Sequence, residues 1–339
     1  NGSQGPVRPH NSPESTTLAA YRNRYALYRG DPDLQASHAA FPWIITWDDH
    51  EVENNYAGLN PQDPADAATF AARRAVAYQA WWEHQPVRLP APTGPDLTIR
   101  RSFDWGDLAR FAVVDGRQHR SDQACGDSLG PPCPDLAAPG RTMPGTEQEA
   151  WLDSTLRSSP AVWNVVANQT IVAPMVLGGG VNPDQWDGYP EAQQRLLDLL
   201  AAPEVANPVV ITGDIHAAWI TELPRLAADR STPTIGIELV GTSISSKFDD
   251  KLAPIYEQLL GATPGTHYVN AHERGYTVVE LTRGQLTADY RVVSTVAEQQ
   301  ATVSTATTFV WAADAAAPTS TTTTTPTTGT GPVTPAFTG

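Results

Sequence analysis

Pro208-Val209-Val210-Ile211-Thr212-Gly213-Asp214-Ile215-His216 is an apolar run that stops abruptly at a glycine, a carboxylate and an imidazole. Such a run fits a buried strand of an α/β sheet, and side chains that follow it sit at the strand's carboxyl edge, where open sheets keep their ligand sites. Asp214 and His216 flank one residue, so in extended backbone they point to the same side and can chelate one ion. Gly213 leaves room for close approach of backbone or ligand.

A second run has the same form. Pro42-Trp43-Ile44-Ile45-Thr46 leads into Trp47-Asp48-Asp49-His50-Glu51, followed by Asn54 and Asn55. Acids in a row are commonly a solvated surface, but here they leave a Trp-rich apolar strand. Carboxylate oxygens suit calcium, magnesium or ferric iron, and an imidazole either completes the shell or moves a proton. The pair of motifs points to a metal-dependent hydrolase.

Two further strand ends carry polar groups. Asp115-Gly116-Arg117-Gln118-His119-Arg120 offers two guanidinium groups, the side chain best shaped for bidentate phosphate contact, although pairing with Asp115 or Asp122 is an equal alternative. Asn168 is either a neutral oxygen ligand or a satisfied turn amide.

Between these motifs the periodicity alternates. Helical spacing covers Thr17 to Tyr28 and Pro64 to His84, and Leu97–Trp105 with Ala109–Asp115 form a hairpin around Gly106-Asp107. Thr146-Glu147-Gln148-Glu149 has the capping-box pattern and predicts a helix start that buries Trp151, Leu152 and Leu156. A strand over Val162–Val166, a helix opened by Pro190 and running to Leu200, and an antiparallel pair, Tyr276–Leu281 with Leu286–Val292, complete a layered α/β sandwich without internal repeats.

Composition bounds what this fold can do. With 339 residues and 40% apolar content the chain can bury a sizeable core. A formal charge of −15 with only 22 Lys plus Arg excludes a nucleic-acid-binding module that works through phosphate contacts. An acidic enzyme acting on a phosphate ester therefore needs local cations, which metal ions supply. No stretch reaches the length of a transmembrane segment.

Cys125 and Cys133 lie in one Pro- and Gly-rich loop, which as a disulfide ring gains roughly 2.5 kcal/mol on the loop-entropy model and fits an oxidising, exported location. The alternative is two free surface thiols. From Thr302 onward the composition collapses into Thr, Pro, Ala and Gly, so residues 302–339 are predicted to be a disordered stalk following a domain over 1–301.

LAAYRNRYALYRGDPDLQASHAAFPWIITWDDHEVENNYAG, FAVVDGRQHRSDQACGD, WNVVANQT, VVITGDIHAAW, GTSISS and NAHERGYTVVEL together resemble the PhoD-like alkaline phosphatases of the calcineurin-like metallophosphoesterase superfamily. The resemblance covers nearly everything from Pro6 to about Val293. It implies a four-layer α/β/β/α sandwich and an exported enzyme that hydrolyses small-molecule phosphate esters with ferric iron and calcium.

In that motif order Asp49 takes a metal-ligand position and His50 the proton-donor position, Asp214 and His216 are ligands from the late motif, and Asn54 is a further candidate ligand. Arg117 is expected to steady the anion. Family members carry an earlier strand with a cysteine ligand and a Gly-Asp-x-x-Tyr block. The sequence begins downstream of that region, so the sandwich is expected to be truncated at its N-terminus, with part of the first metal shell missing and activity residing in the full-length form. Two rival readings are a non-catalytic, calcium-stabilised cell-surface module and a phospholipase D-type phosphodiesterase.

Overall fold

The hairpin predicted around Gly106 forms, with β1 (Arg101–Trp105) antiparallel to β2 (Ala109–Val113). Next to it run β3 (Trp163–Ala167), β4 (Pro208–Thr212) and, beyond β4, β6 (Asp229–Val240), all parallel to β2. The strands β5 (Ala218–Leu226) and β7 (Thr266–Asn270) close the far edge in a seven-stranded order of β1-β2-β3-β4-β6-β5-β7. The computed structural model that shows this describes residues 9–313, apart from 176 and 299.

A parallel ladder needs a crossover between its strands. Before the sheet come α1 (Leu18–Arg29), α2 (Pro32–Ala40) and α3 (Ala67–His84); α4 (Thr146–Arg157) then links β2 to β3, α5 (Pro190–Leu200) links β3 to β4, and α6 (Ala253–Gly261) precedes β7. Leu152, Leu156, Leu196, Leu197, Tyr256 and Leu260 of the last three helices pack with Val166, Val210 and Val240 in one core. Strand residues one position away, Val165, Val209 and Leu239, belong to another core, as the period-2 pleat requires.

That second core is closed by a three-stranded antiparallel sheet of β8 (Gly275–Leu281), β9 (Gln285–Val293) and β10 (Val303–Ala312), in the order β10-β9-β8. Leu286, Ala288 and Tyr290 of β9 and Phe309 and Trp311 of β10 face the larger sheet. The mixed α/β sandwich expected from the sequence therefore holds, and the face of the smaller sheet turned away from the larger one carries exposed Tyr276 and Val278.

Three local expectations need correction. The stretch from Thr302 was predicted to be an unstructured tail, yet residues 303–312 form a strand, because Thr307, Phe309 and Trp311 alternate inward and are buried; only the part of the tail after 313 lies outside the described residues. Pro42–Thr46 is not a strand either. It has no ladder partner, and its Ile45 carbonyl is taken by the Arg101 guanidinium while Thr46 donates to the Val114 carbonyl.

Thr146 does open α4, but as its first helical residue rather than its cap. The cap position falls to Gly145, which makes no side-chain cap bond, while Thr142 Oγ1 accepts from Gly145 N and donates to Glu149 Oε1, tying the preceding turn to the helix. Elsewhere the local signals hold. Thr17 caps α1 by accepting from Ala20 N, and Pro190 occupies the first turn of α5. No helix among the described residues is long and apolar enough to cross a membrane.

Candidate metal centre

Beyond β4 the chain does not stay extended. Asp214 and His216 both adopt left-handed backbone, with φ of 67° and 58°, a conformation that costs non-glycine residues of order 1–3 kcal/mol and concentrates at functional sites. The two side chains therefore do not share a strand face as predicted. Asp214 turns towards Arg117 and Gln185, whereas the His216 ring sits 3.1 Å from the Lys247 carbonyl through Nδ1.

The acidic turn after Thr46 is held from below by an aromatic anchor. Trp47 is buried, stacks on Tyr78 at 4.0 Å, meets Trp81 edge-on, and donates from Nε1 to Asp115 Oδ1 at 3.1 Å. The turn then closes on its own side chains. Glu51 Oε2 accepts from Asp48 N at 2.7 Å, Asp49 Oδ1 from His50 N at 2.7 Å, and Asp49 Oδ2 from Asn55 N at 2.8 Å.

These two segments, far apart in sequence, meet. One carboxylate oxygen from each of Asp48, Asp49 and Asp214 lies within 4.8 Å of the others. Like charges this close repel, and burial adds to the cost of ionising them. Burial first and Asp48 second raise the Asp214 carboxyl well above the usual range, and burial raises Asp48 against the pull of Arg117. Glu51 is pushed up to about 7, chiefly by burial.

Arg117 occupies the centre of this charge cluster. Wholly buried, it donates from Nε to Asp48 at 2.5 Å, from Nη1 to Asp184 at 2.8 Å and from Nη2 to Asp214 at 2.9 Å. Asp184 also accepts from Arg120 at 2.7 Å. Burial alone would raise Asp184, but the two guanidinium groups hold it below the usual carboxylate range. Arg117 is thus spent on carboxylates, and its expected contact with a substrate anion would require it to abandon three ion pairs.

The other sequence-predicted residues lie around this cluster. His50 keeps 47% of its side chain exposed, 3.9 Å from Asp49 Oδ2, and Asn54 follows in the same turn. His216 falls outside the tight carboxylate group but feels the charges of Asp49 and His50. Sequence reasoning gave Asp48 no assigned role and missed Asp184 and Gln185, whose Nε2 donates to Asp214 Oδ2 at 2.6 Å. Both of the latter come from an irregular loop, and no strand-end signal marks them.

Three carboxylates against one shared guanidinium leave an excess of negative charge on hard oxygen donors. That donor set fits a hard cation such as calcium, magnesium or ferric iron. Next to it, Asp127 Oδ2 accepts from Asn55 Nδ2 at 2.9 Å. Asp127 belongs to the ring closed by the Cys125–Cys133 disulfide, which forms as the loop predicted.

Comparison with known proteins places the chain in a family. The model of the PhoD-like phosphatase family matches residues 1–290. The chain is 45% identical over 317 residues to a Bacillus subtilis (strain 168) protein named alkaline phosphatase D, a match covering 91% of this chain and 54% of that protein. A solved structure described as "Structure of PhoD" superposes with a TM-score of 0.87 at 42% identity, over 96% of this chain and 64% of that one. The chain thus spans between about half and under two thirds of the length of these relatives. With a family match over most of its residues and a fold that superposes this closely, the chain belongs to the PhoD-like phosphatase family.

Proposed function

We propose that this chain carries the metal centre of an exported phosphoric ester hydrolase acting on small-molecule phosphate esters. The observation that supports it best is the convergence of Asp48, Asp49 and Asp214 from two distant segments. Asp49 and Asp214 are the principal ligands, with Asp48, His216 and Asn54 completing the shell, and ferric iron with calcium is the pair of ions that the family resemblance favours. Bound there, such ions would clamp the phosphate and lower the pKa of an attacking water.

The rest of the chemistry belongs to the protein. His50, half in solvent beside Asp49, is placed to hand a proton to the departing oxygen. Arg117 is a positioning residue, keeping Asp48 and Asp214 apart from collapse and from full mutual repulsion. The disulfide supports export, since such bonds persist in oxidising compartments.

The test is elemental analysis of the full-length protein together with phosphate release from alkyl and nitrophenyl phosphates. Asp214→Ala is expected to lose metal and activity together. A protein that holds neither iron nor calcium, or one whose phosphate release survives Asp214→Ala, would overturn the proposal.

A further inference from the structure

His216 is gripped on two sides by groups that belong to neither acidic motif. Its carbonyl accepts from Arg274 Nη1 and lies 3.3 Å from Thr242 Oγ1, whose one proton is shared with the Glu273 carbonyl at 3.0 Å. Arg274 is 5% exposed, and the same Nη1 donates to the Ser246 carbonyl at 3.0 Å and to Ser243 Oγ at 3.2 Å, while Nη2 donates to the Ala271 carbonyl. One buried guanidinium thereby ties the strand end after β4 to the segment Thr242–Lys247 and to the turn after β7. Burying a cation on carbonyl oxygens is costly, so the geometry it enforces is the gain to look for.

That geometry is a ring orientation. Held in left-handed backbone, His216 directs Nδ1 at the Lys247 carbonyl at 3.1 Å. A carbonyl only accepts, so the hydrogen bond requires the proton on Nδ1 and leaves the lone pair of the neutral ring on Nε2. The segment that supplies this carbonyl is secured to Arg274 through Ser243 and Ser246, and Gly275 N donates to the Ser243 carbonyl at 3.1 Å.

We propose that Arg274, acting with the segment Thr242–Lys247, is the positioning residue that fixes His216 in the Nδ1–H tautomer and presents Nε2 as its donor atom. The inference rests on the metal-centre reading for its purpose, though not for its observable. A backbone carbonyl that holds the far nitrogen of a ligating histidine raises ligand basicity and sets the ring plane. Arg274 touches no reacting atom.

The experiment is long-range 1H–15N correlation on the histidine-labelled full chain after chelator treatment, at pH 8, with the His216 signals assigned by their loss in His216→Gln. Wild type is expected to show a protonated Nδ1 and an unprotonated Nε2. Arg274→Ala, checked for native circular dichroism, is expected to lose that preference, and Thr242→Val to weaken it. Manganese titration should show roughly 10- to 100-fold weaker binding in Arg274→Ala.

A wild-type spectrum with the proton on Nε2 would overturn the proposal without any variant. So would a folded Arg274→Ala that keeps the wild-type tautomer. A chain that binds no manganese, iron or calcium yet shows the expected tautomer pattern would sink the metal-centre reading and leave the Arg274 assignment standing.

Discussion

Asp49 has each carboxylate oxygen taken by a backbone N–H, whereas the adjacent His50 side chain projects into solvent. One is held in place and the other is left open to solvent. If His50 protonates the leaving oxygen, His50→Ala should slow hydrolysis of alkyl phosphates by on the order of 10²–10⁴-fold. Nitrophenyl phosphates, which depart without protonation, should be affected far less, and metal content should not change. Equal losses on both esters, with metal lost, would make His50 a ligand. At this scale the sequence showed the acids clearly because each cluster ends an apolar run. It could not show where Arg117 points, since a guanidinium fork matches phosphate and carboxylate equally well.

Among the elements, β6 carries a buried carboxylate that no substrate can reach. Glu238 accepts from Val172 N at 2.9 Å, from Ala173 N at 2.6 Å and from Thr212 Oγ1 at 2.8 Å, joining the loop after β3 to the end of β4 just before Asp214. Burial pushes its carboxyl up to about 7 from a usual 4.5. The folded state then holds this proton more tightly than the unfolded chain does. Stability from this group is therefore full below the unfolded value and falls as pH rises through the window from 4.5 to about 7. Glu238→Gln, which sets an amide N–H against a backbone N–H, should destabilise the protein at pH 5 and do so less at pH 8. Urea unfolding at the two values decides it, and an equal cost at both would refute the shift.

Element boundaries were legible where a local cause sets them, as with Thr17 and Pro190. They were not where a tertiary partner does: Pro42–Thr46 has the residues of a strand but finds an arginine instead of a ladder. The start of α4 is likewise tied down from outside the motif that announced the helix, by Thr142 bonding to Gly145 N and the Glu149 side chain.

For the whole molecule, β10, the third strand of the smaller sheet, is what composition hid. Averaged over its length, the Thr-rich end of the chain looks too polar to fold, yet the alternation in Thr307-Thr308-Phe309-Val310-Trp311 sends two aromatics into the core between the sheets. Removing everything after residue 301 should expose that core. Trp311→Ala alone is expected to cost about 3–5 kcal/mol in denaturant unfolding, and a cost under about 1 kcal/mol, as for a surface site, would show the strand to be dispensable.

Arg117 has a consequence for the order of events in the protein's life. In small zinc domains folding waits for the ion. Here a cation encoded in the chain already sits among Asp48, Asp184 and Asp214, so the fold can close first and be loaded afterwards, in whichever compartment supplies the metal. Chelation should accordingly abolish hydrolysis while leaving circular dichroism unchanged and the melting temperature within a few degrees. Arg117→Ala should fail in the opposite sense, losing roughly 3–5 kcal/mol of stability whether or not ions are present.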